Sequence, residues 1–579
     1  MRFLSRNRRR ETGRNIARPN RFLPRLEVFE DRSLPSTLTV MNSLDGGAGS
    51  LRDAIGHAKD GDKIVFASSL NGHAISLTSD ELAIKNSLDI EGPGVDKLAV
   101  SGSNKFRVFD ITSEGLTVRI AGLTITHGQA TGNNAGGGVL NGGSNLTLAN
   151  DLFSDNAAFG NSGFPNVDSL AVGGAVHNRS KGTLTVSACT FQSNQAIGQV
   201  EGGNAWGGAI ANDQGCIALV AGSTFSSNRA IGGDGGRSHL GQLVVGHGEG
   251  GGIANFGTIT VVHSTFTANQ AIGGNGCLED TSSANTIDVG NGGAIENFPF
   301  GSVLYVDECM FTDNQAIGGS NAIGSPSGKG RLGNGSGGAV KNEATATITN
   351  SVFDHNDAIG GSGNLGTSAD VLVGVGQGGA INNGTVDFPA ALTASNLTIT
   401  NNQAVGGGGN TGNAPFTGAG WGGGLSNRDG STMVISNSIL ANNQAIGGAG
   451  TIGGAGAVGL GGGIANLPGC TLTVSGCTLS GNQATGGAGG SSADGGNGFG
   501  GGIYSDGQST LTVTGSTVTS NSATGGAAGS GGSSGQGIGG GVYFASGGVG
   551  CLDLFTSLKI TGNTASTSND DVFGVFTIC

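Results

Sequence analysis

Between Asn156 and Asn563 the chain repeats itself eleven times, and this constrains the fold more than any other feature. The marker is an Asn that recurs at 156, 194, 228, 269, 314, 356, 402, 443, 482, 521 and 563, ten intervals spanning 407 residues. Self-similarity at a period of 20–50 residues is the signature of a solenoid or a related stacked architecture. One unit, starting at Gly207, reads GGAIANDQGCIALVAGSTFSSNRAIGG; others start at Gly250 and Gly461. Each carries Gly-Gly, a small residue, an aliphatic residue and then usually x-Asn. An alternating apolar segment follows, and then Phe-x-x-Asn-x-Ala, with Leu or Val for Phe in later units.

Each unit divides into a constant stretch, such as Gly207 to Ile231, and a variable one. The constant stretch holds three short strand candidates, GAIAN, CIALV and STFSS. Leu184 and Val186, or Leu472 and Val474, alternate with Thr and Ser, the period-2 pattern of a half-buried strand. Inward aliphatics are expected to stack from coil to coil. The two Asn columns suit coil corners, because Asn tolerates left-handed backbone, and stacked amides bond along the axis. The variable stretches, such as Asp234–Glu249, Asn275–Gly290 and Ser320–Gly335, all leave at one corner. They are expected to form a loop ridge, the natural contact surface.

Residues 37–129 are a less regular version of the array, with strand-like pieces at Thr37–Val40, Lys63–Phe66, Ala74–Leu77, Leu82–Ile84, Phe106–Ile111 and Leu116–Ile125. Ser50–Lys59 reads as an amphipathic helix with Leu51, Ala54 and Ile55 on one face. It is expected to cap the open end of the solenoid. The expectation is therefore an all-β, single-stranded, right-handed parallel β-helix of three strands per coil and roughly 14 coils, with a short N-terminal capping helix. Its parts are a basic segment 1–36, export-related or disordered, a cap with the first irregular coils at 37–129, and the array with its Gly-rich insertions at 130–579.

Composition excludes several classes. The chain holds 118 Gly but 10 Pro, and no G-X-Y period, so it is not collagen. Residues 1–32 carry ten Arg against four acids, whereas the other 547 residues have a net charge of −19. An acidic body disfavours nucleic acid and anionic membranes as partners. No apolar run reaches the roughly 20 residues of a membrane span, and no secretory-signal core follows the basic start.

The paired motifs Gly207–Ile210 with Phe225–Asn228, Gly292–Ile295 with Phe311–Asn314, and Gly337–Val340 with Phe353–Asn356 resemble the repeats of the chlamydial polymorphic outer-membrane proteins. The likeness covers about residues 130–565. SLRDAIGHAKDGDKIVF (Ser50–Phe66) resembles the entry segment of bacterial pectin-lyase-like β-helix proteins. PRLEVFEDRSLP (Pro24–Pro35) resembles a short N-terminal motif of exported planctomycete proteins. These resemblances imply an exported protein, extracellular or at the cell surface, adhesive or structural. The chlamydial family ends in an autotransporter barrel. This chain ends soon after its last repeat, at Cys579, so no membrane-anchoring barrel is expected.

Several residues are candidates for chemistry. Gly246-His247-Gly248 resembles a polygalacturonase tripeptide, but Asn569-Asp570-Asp571 lies downstream of it, in the wrong order. Asp354-His355-Asn356 resembles a pectate-lyase motif, but sits within one Phe-x-x-Asn unit. Both read as repeat variants. Gly232-Gly233-Asp234-Gly235-Gly236 approaches a calcium-binding repeat with its Asp in the wrong slot. Calcium is thus the one cofactor considered, and none is expected. Cys189, Cys309 and Cys477, with Cys216 and Cys470, fall on inward positions and read as small core residues. Cys277 and Cys579 lie elsewhere. Trp206 and Trp421 each precede a Gly-Gly and read as packing residues over that corner rather than sugar platforms.

Residues 130–579 hold 25 acids and nine basic residues, Arg179, Lys181, Arg229, Arg237, Lys329, Arg331, Lys341, Arg428 and Lys559. The basic residues are scattered along the sequence, and no charged cluster on one coil face is readable. The expectation is that the chain is not an enzyme, with no catalytic, cofactor-binding or metal residues. It is read as a surface β-helix whose partners are cell-surface carbohydrate or other surface proteins. The alternative is a polysaccharide lyase or glycoside hydrolase on the pectin-lyase-like fold.

Overall fold

Alternating strands that cannot bury their apolar face alone must stack, and here they stack in parallel. The computed structural model describes residues 35–132, 136–161, 170–238, 244–279, 286–325, 330–367, 372–385, 388–412 and 416–579. The segment 1–34, with almost all of the exported-protein motif, lies outside the described residues, as does Lys329. Residues 36–579 form one compact unit.

Among the described residues, three long parallel sheets carry the body. Sheet I has 16 strands, five residues long in the array, as at Thr258–Val262. Sheets II and III have 14 strands each, as at Thr265–Thr267 and Ile253–Asn255. Each strand pairs with its equivalent one repeat away, for example Phe225 with Phe266 and Val220 with Val261. All-parallel pairing through successive coils is the β-helix arrangement expected from the repeat. The helix forms at Leu51–His57, capped by Ser50, whose Oγ accepts from the Asp53 amide. Its Leu51, Ala54 and Ile55 join Val40 and Ile64 in the main core.

The excursions are more ordered than a loop ridge. After the Asn of Phe-x-x-Asn the chain leaves through sheet IV, 12 short strands such as Gln270–Ile272. It returns through sheet V, 10 two- or three-residue strands such as Gly248–Glu249. These two sheets lie almost in backbone contact. A Cβ on Gly248 would sit 2.2 Å from the Ile272 carbonyl oxygen and 2.5 Å from that of Ala230. Only Gly fits there, and Ala faces it from sheet IV. Each repeat is thus three body strands plus a thin two-sheet fin.

Three columns of side chains hold the coils in register. Phe153, Phe191, Phe225, Phe266, Phe311 and Phe353 stack with centroids 4.6 to 4.9 Å apart and planes within 10°. The Asn156–Asn563 column is a continuous buried amide ladder. Each Nδ2 donates to the next Oδ1, as from Asn228 to Asn269 at 2.9 Å and from Asn269 to Asn314 at 2.9 Å. The same Nδ2 also bonds a carbonyl one coil back, Phe225 for Asn269. Asp571 ends the ladder by accepting from Asn563 at 2.9 Å. A second ladder runs from Asn141 through Asn178, Asn212 and Asn255 to Asn466.

The ladder asparagines are not the left-handed residues. That role falls to the residue before each, such as Asp155, Ala268, Asp313 and His355, with φ between 54° and 56°. The corner thus separates backbone strain from the amide that must point inward.

The sheet I–II corner carries a third column. Ser Oγ accepts from an amide one coil back, as Ser264 does from Ser223 and Ser351 from Cys309, both at 3.1 Å. Cys189, Cys309 and Cys477 occupy this column and, with Cys216, Cys277 and Cys470, are buried free thiols. Cys551 and Cys579 form a disulfide, Cα atoms 5.8 Å apart, a pairing not expected from the repeat.

Asp151 occupies the same column, where its carboxylate accepts from the amides of Leu123 and Ala149. Burial outweighs these bonds and pushes its pKa up to about 8 from an ordinary 3.8. The folded pKa lies above the unfolded one. The stabilising contribution is therefore complete below about pH 4 and is lost as the pH rises towards 8, with a limiting slope of about 1.4 kcal/mol per pH unit. Thermal unfolding between pH 5 and 8 is expected to show falling stability. Asp151→Ser, which supplies the residue other coils use here, is expected to flatten that fall. An unchanged slope in the variant would refute the assignment.

Candidate functional site

The middle residue of each sheet III strand points away from the core, towards sheet V. In several coils it is Ala, as at Ala211, Ala254 and Ala465, but four consecutive coils carry Glu296, Lys341, Asn382 and Ser426 in register. All four are fully buried. Sheet V covers them with Asn291, Ser336, Gln377 and Trp421, each set back one position from its obligatory Gly. Long excursions bring two further cations to the same seam, Arg331 from the fin and Arg428 from the sheet III–I corner.

The contacts are dense. Lys341 Nζ donates to Asn382 Oδ1 at 2.9 Å and to the Gly384 carbonyl at 2.5 Å, and lies 3.4 Å from Glu343 Oε1. Arg428 Nη1 donates to Gln377 Oε1 at 2.5 Å, while its Nε pairs with Asp429 Oδ2 at 2.5 Å. Arg331 Nη2 approaches the same Asp429 oxygen at 3.7 Å. Neither oxygen of Glu296 accepts a hydrogen bond.

Electrostatics follow from burial. Desolvation raises the Glu296 carboxyl well above its ordinary range, with Glu343 and Glu249 adding to the effect. Desolvation also brings Lys341 down to about 8, against the attraction of Glu343. Burial raises Asp429, but Arg428 and Arg331 outweigh it and hold that carboxyl below its usual value. A lysine whose pKa lies near 8 exchanges protons close to physiological pH.

This seam reaches the surface through Glu343. A cleft of about 380 Å³ opens at the sheet III–I corner, walled by Pro299, Phe300, Glu343, Phe388, Pro389, Gly430 and Thr432. Phe300 is 69% and Phe388 37% exposed, and their rings meet edge to face at 5.0 Å and 70°. Phe300 also has φ of 76°. A bulky side chain in left-handed backbone is a true outlier, and such strain clusters at functional sites. Two solvent-facing aromatic rings beside a carboxylate form a surface able to stack on a sugar ring and accept bonds from its hydroxyls.

The candidate residues of the sequence motifs lie elsewhere. His247 is buried, with Nδ1 2.8 Å from Glu249 and Nε2 2.8 Å from the Thr286 carbonyl oxygen. Asp354 accepts from Thr400 and Asn401, and its partner Asn356 is a ladder residue. Asp234 accepts from Asn275 on the exposed fin. Asp570 and Asp571 accept from the Ala565 amide and from Asn563. Trp206 packs on Phe256 and Phe298, and Trp421 on Phe416, with the Arg428 guanidinium over its ring.

No family model and no curated protein matches the chain. Solved structures do. An alginate lyase from Paenibacillus sp. str. FPU-7 matches at 15% identity and a TM-score of 0.28, over 62% of this chain and 94% of that one. A mannuronic-acid-specific polysaccharide family 6 lyase from human gut microbiota matches at 10% and 0.32, over 76% and 86%. A bacteriophage CBA120 tailspike protein matches at 10% and 0.23, over 91% and 59%. The expectation that the chain is not an enzyme does not stand. It rested on the lack of a charged cluster on one coil face, and such a cluster is present. Arg331, Lys341 and Arg428, scattered in sequence, converge in space. Among the described residues no helix is long and apolar enough to cross a membrane.

Proposed function

We propose that this is an exported β-helix protein that binds an uncharged glycan in the Phe300–Phe388 cleft. Glu343, backed by Lys341, is its acid–base-capable carboxylate. The observation that carries this reading is the meeting of two exposed aromatic rings with a carboxylate whose ion-pair partner is a buried lysine. An uncharged chain is favoured because the charged residue lining the cleft is an acid, on an acidic body. Export is supported by the Cys551–Cys579 disulfide, since such bonds persist in oxidising compartments, and by the likeness to surface-protein repeats.

The test is a panel of neutral and acidic oligosaccharides, scored for binding by calorimetry and for cleavage by new reducing ends. Phe300→Ala is expected to weaken binding about tenfold, the loss of roughly one stacking contact of ~1.4 kcal/mol. Glu343→Gln is expected to abolish any cleavage. Equal binding by the parent and a Phe300→Ala/Phe388→Ala double variant would remove the cleft from the account.

A further inference from the structure

The outer face of sheet I is unlike the rest of the surface. From Thr345 to Thr514 five consecutive strands run in strict register, Thr345–Thr349, Ala391–Ser395, Thr432–Ser436, Thr471–Ser475 and Thr510–Thr514. Each presents three outward side chains, so the patch has fifteen positions. Thirteen are Thr or Ser, and the other two are Ala391 and Val434. None is charged and none is aromatic, on a body of net charge −19. In the two columns that start at Thr345 and Thr347 the side chains are half-buried to exposed.

Geometry makes this patch a lattice. Parallel in-register coils repeat every ~4.8 Å, and outward residues two apart along a strand repeat every ~6.6 Å. Thr is β-branched and stiff at χ1, so neighbouring hydroxyls and methyls repeat one orientation rather than sample several. A β-propensity origin accounts for Thr at any one position. It does not account for the exclusion of Lys, Glu and Asp from all fifteen, since charged residues are what exposed sheet faces usually carry. The same sheet loses the pattern at Ile217, Leu219, Val303 and Tyr305, so Thr is not a requirement of the fold.

We propose that this face adsorbs to ice. A periodic array of hydroxyls bonds water at fixed spacing, and the intervening methyls order the water between them. A charge-free, aromatic-free lattice has little to offer an anionic membrane, a nucleic acid or a sugar ring, each of which needs cations or stacking platforms. Its periodicity has value only against a partner that is itself periodic. The patch meets the glycan cleft along one edge, at Thr345, Ala391 and Thr432, whereas Thr473 and Thr512 lie outside the cleft.

The experiment follows the fraction of purified full-length chain taken up into slowly grown polycrystalline ice, together with ice-recrystallisation inhibition. The parent is expected to concentrate in the ice phase and to suppress grain growth. Thr473→Lys, in the middle column of the patch between Val434 and Thr512, is expected to lose both. Thr185→Lys, on the same sheet outside the patch, and Phe300→Ala in the cleft are expected to keep both. Melting curves by circular dichroism check that each variant is folded. Exclusion of the parent from ice, or equal behaviour of Thr473→Lys and Thr185→Lys, overturns the proposal. So does loss of Thr473→Lys activity only through dissociation of a dimer on that face, read by light scattering.

Discussion

Replacing Phe266 by Ala is expected to destabilise the array by about 5 kcal/mol. The ring is fully buried between Phe225 and Phe311, at centroid distances of 4.6 and 4.9 Å. Truncating a buried Phe costs about 3–5 kcal/mol through lost transfer energy and the cavity left behind. Two stacked partners add about 0.5–1.5 kcal/mol each. Partial collapse of the flanking coils returns some of the loss, so the lower part of the combined range is expected. Because repeat arrays behave as chains of neighbour-coupled units, the loss should be local. Urea unfolding followed by hydrogen exchange should show the coils around residue 266 opening first, and the single transition splitting into two. A variant that unfolds as one unit with unchanged midpoint would contradict the stacked-column account.

Asn269→Leu is expected to cost about 4 kcal/mol, although Leu is larger and more apolar. Asn269 Oδ1 accepts from both the amide and Nδ2 of Asn228, and its Nδ2 donates to Asn314 Oδ1 and the Phe225 carbonyl. Leu leaves the Asn228 donors and the Phe225 acceptor buried without partners. Each such group costs about 1–3 kcal/mol. A loss of about 1 kcal/mol or less in a denaturant series would show that the ladder carries no such load.

The body of the fold was legible because its determinants are local and periodic. The Phe column, both Asn ladders and the inward Cys residues follow from side chains recurring at one slot, and the helix beginning after Ser50 follows from its own apolar face. Sheets IV and V were not legible. Their strands are only two or three residues long, such as Gln270–Ile272 and Gly248–Glu249, and what lets them pack is the absence of Cβ at positions such as Gly248. A missing atom leaves no hydrophobic period to read. The left-handed corner was assigned to the ladder Asn, but a side chain that must reach along the axis cannot also take the turn. The preceding residue takes it, even when it is Ala268.

The site stayed hidden because it is assembled by excursion length. Arg331, Lys341 and Arg428 come from different strands and corners, and only the stacking of coils brings them to one seam. One signal was available. The middle residue of the Gly-Gly-Ala-Ile-x-Asn motif is small in several coils, and a Glu at 296 followed by a Lys at 341 marks neighbouring coils where that rule is broken. Phe300, between Pro299 and Gly301, was a second signal, since an exposed Phe in a turn has no packing role.

The most direct measurement of the central claim is a crystal structure of the chain with a neutral oligosaccharide selected from the binding panel. The account predicts a sugar ring against Phe300 and Phe388 and a hydroxyl within hydrogen-bonding distance of Glu343. A sugar bound instead on the fin, or on another face with the Phe300–Phe388 cleft empty, would contradict it.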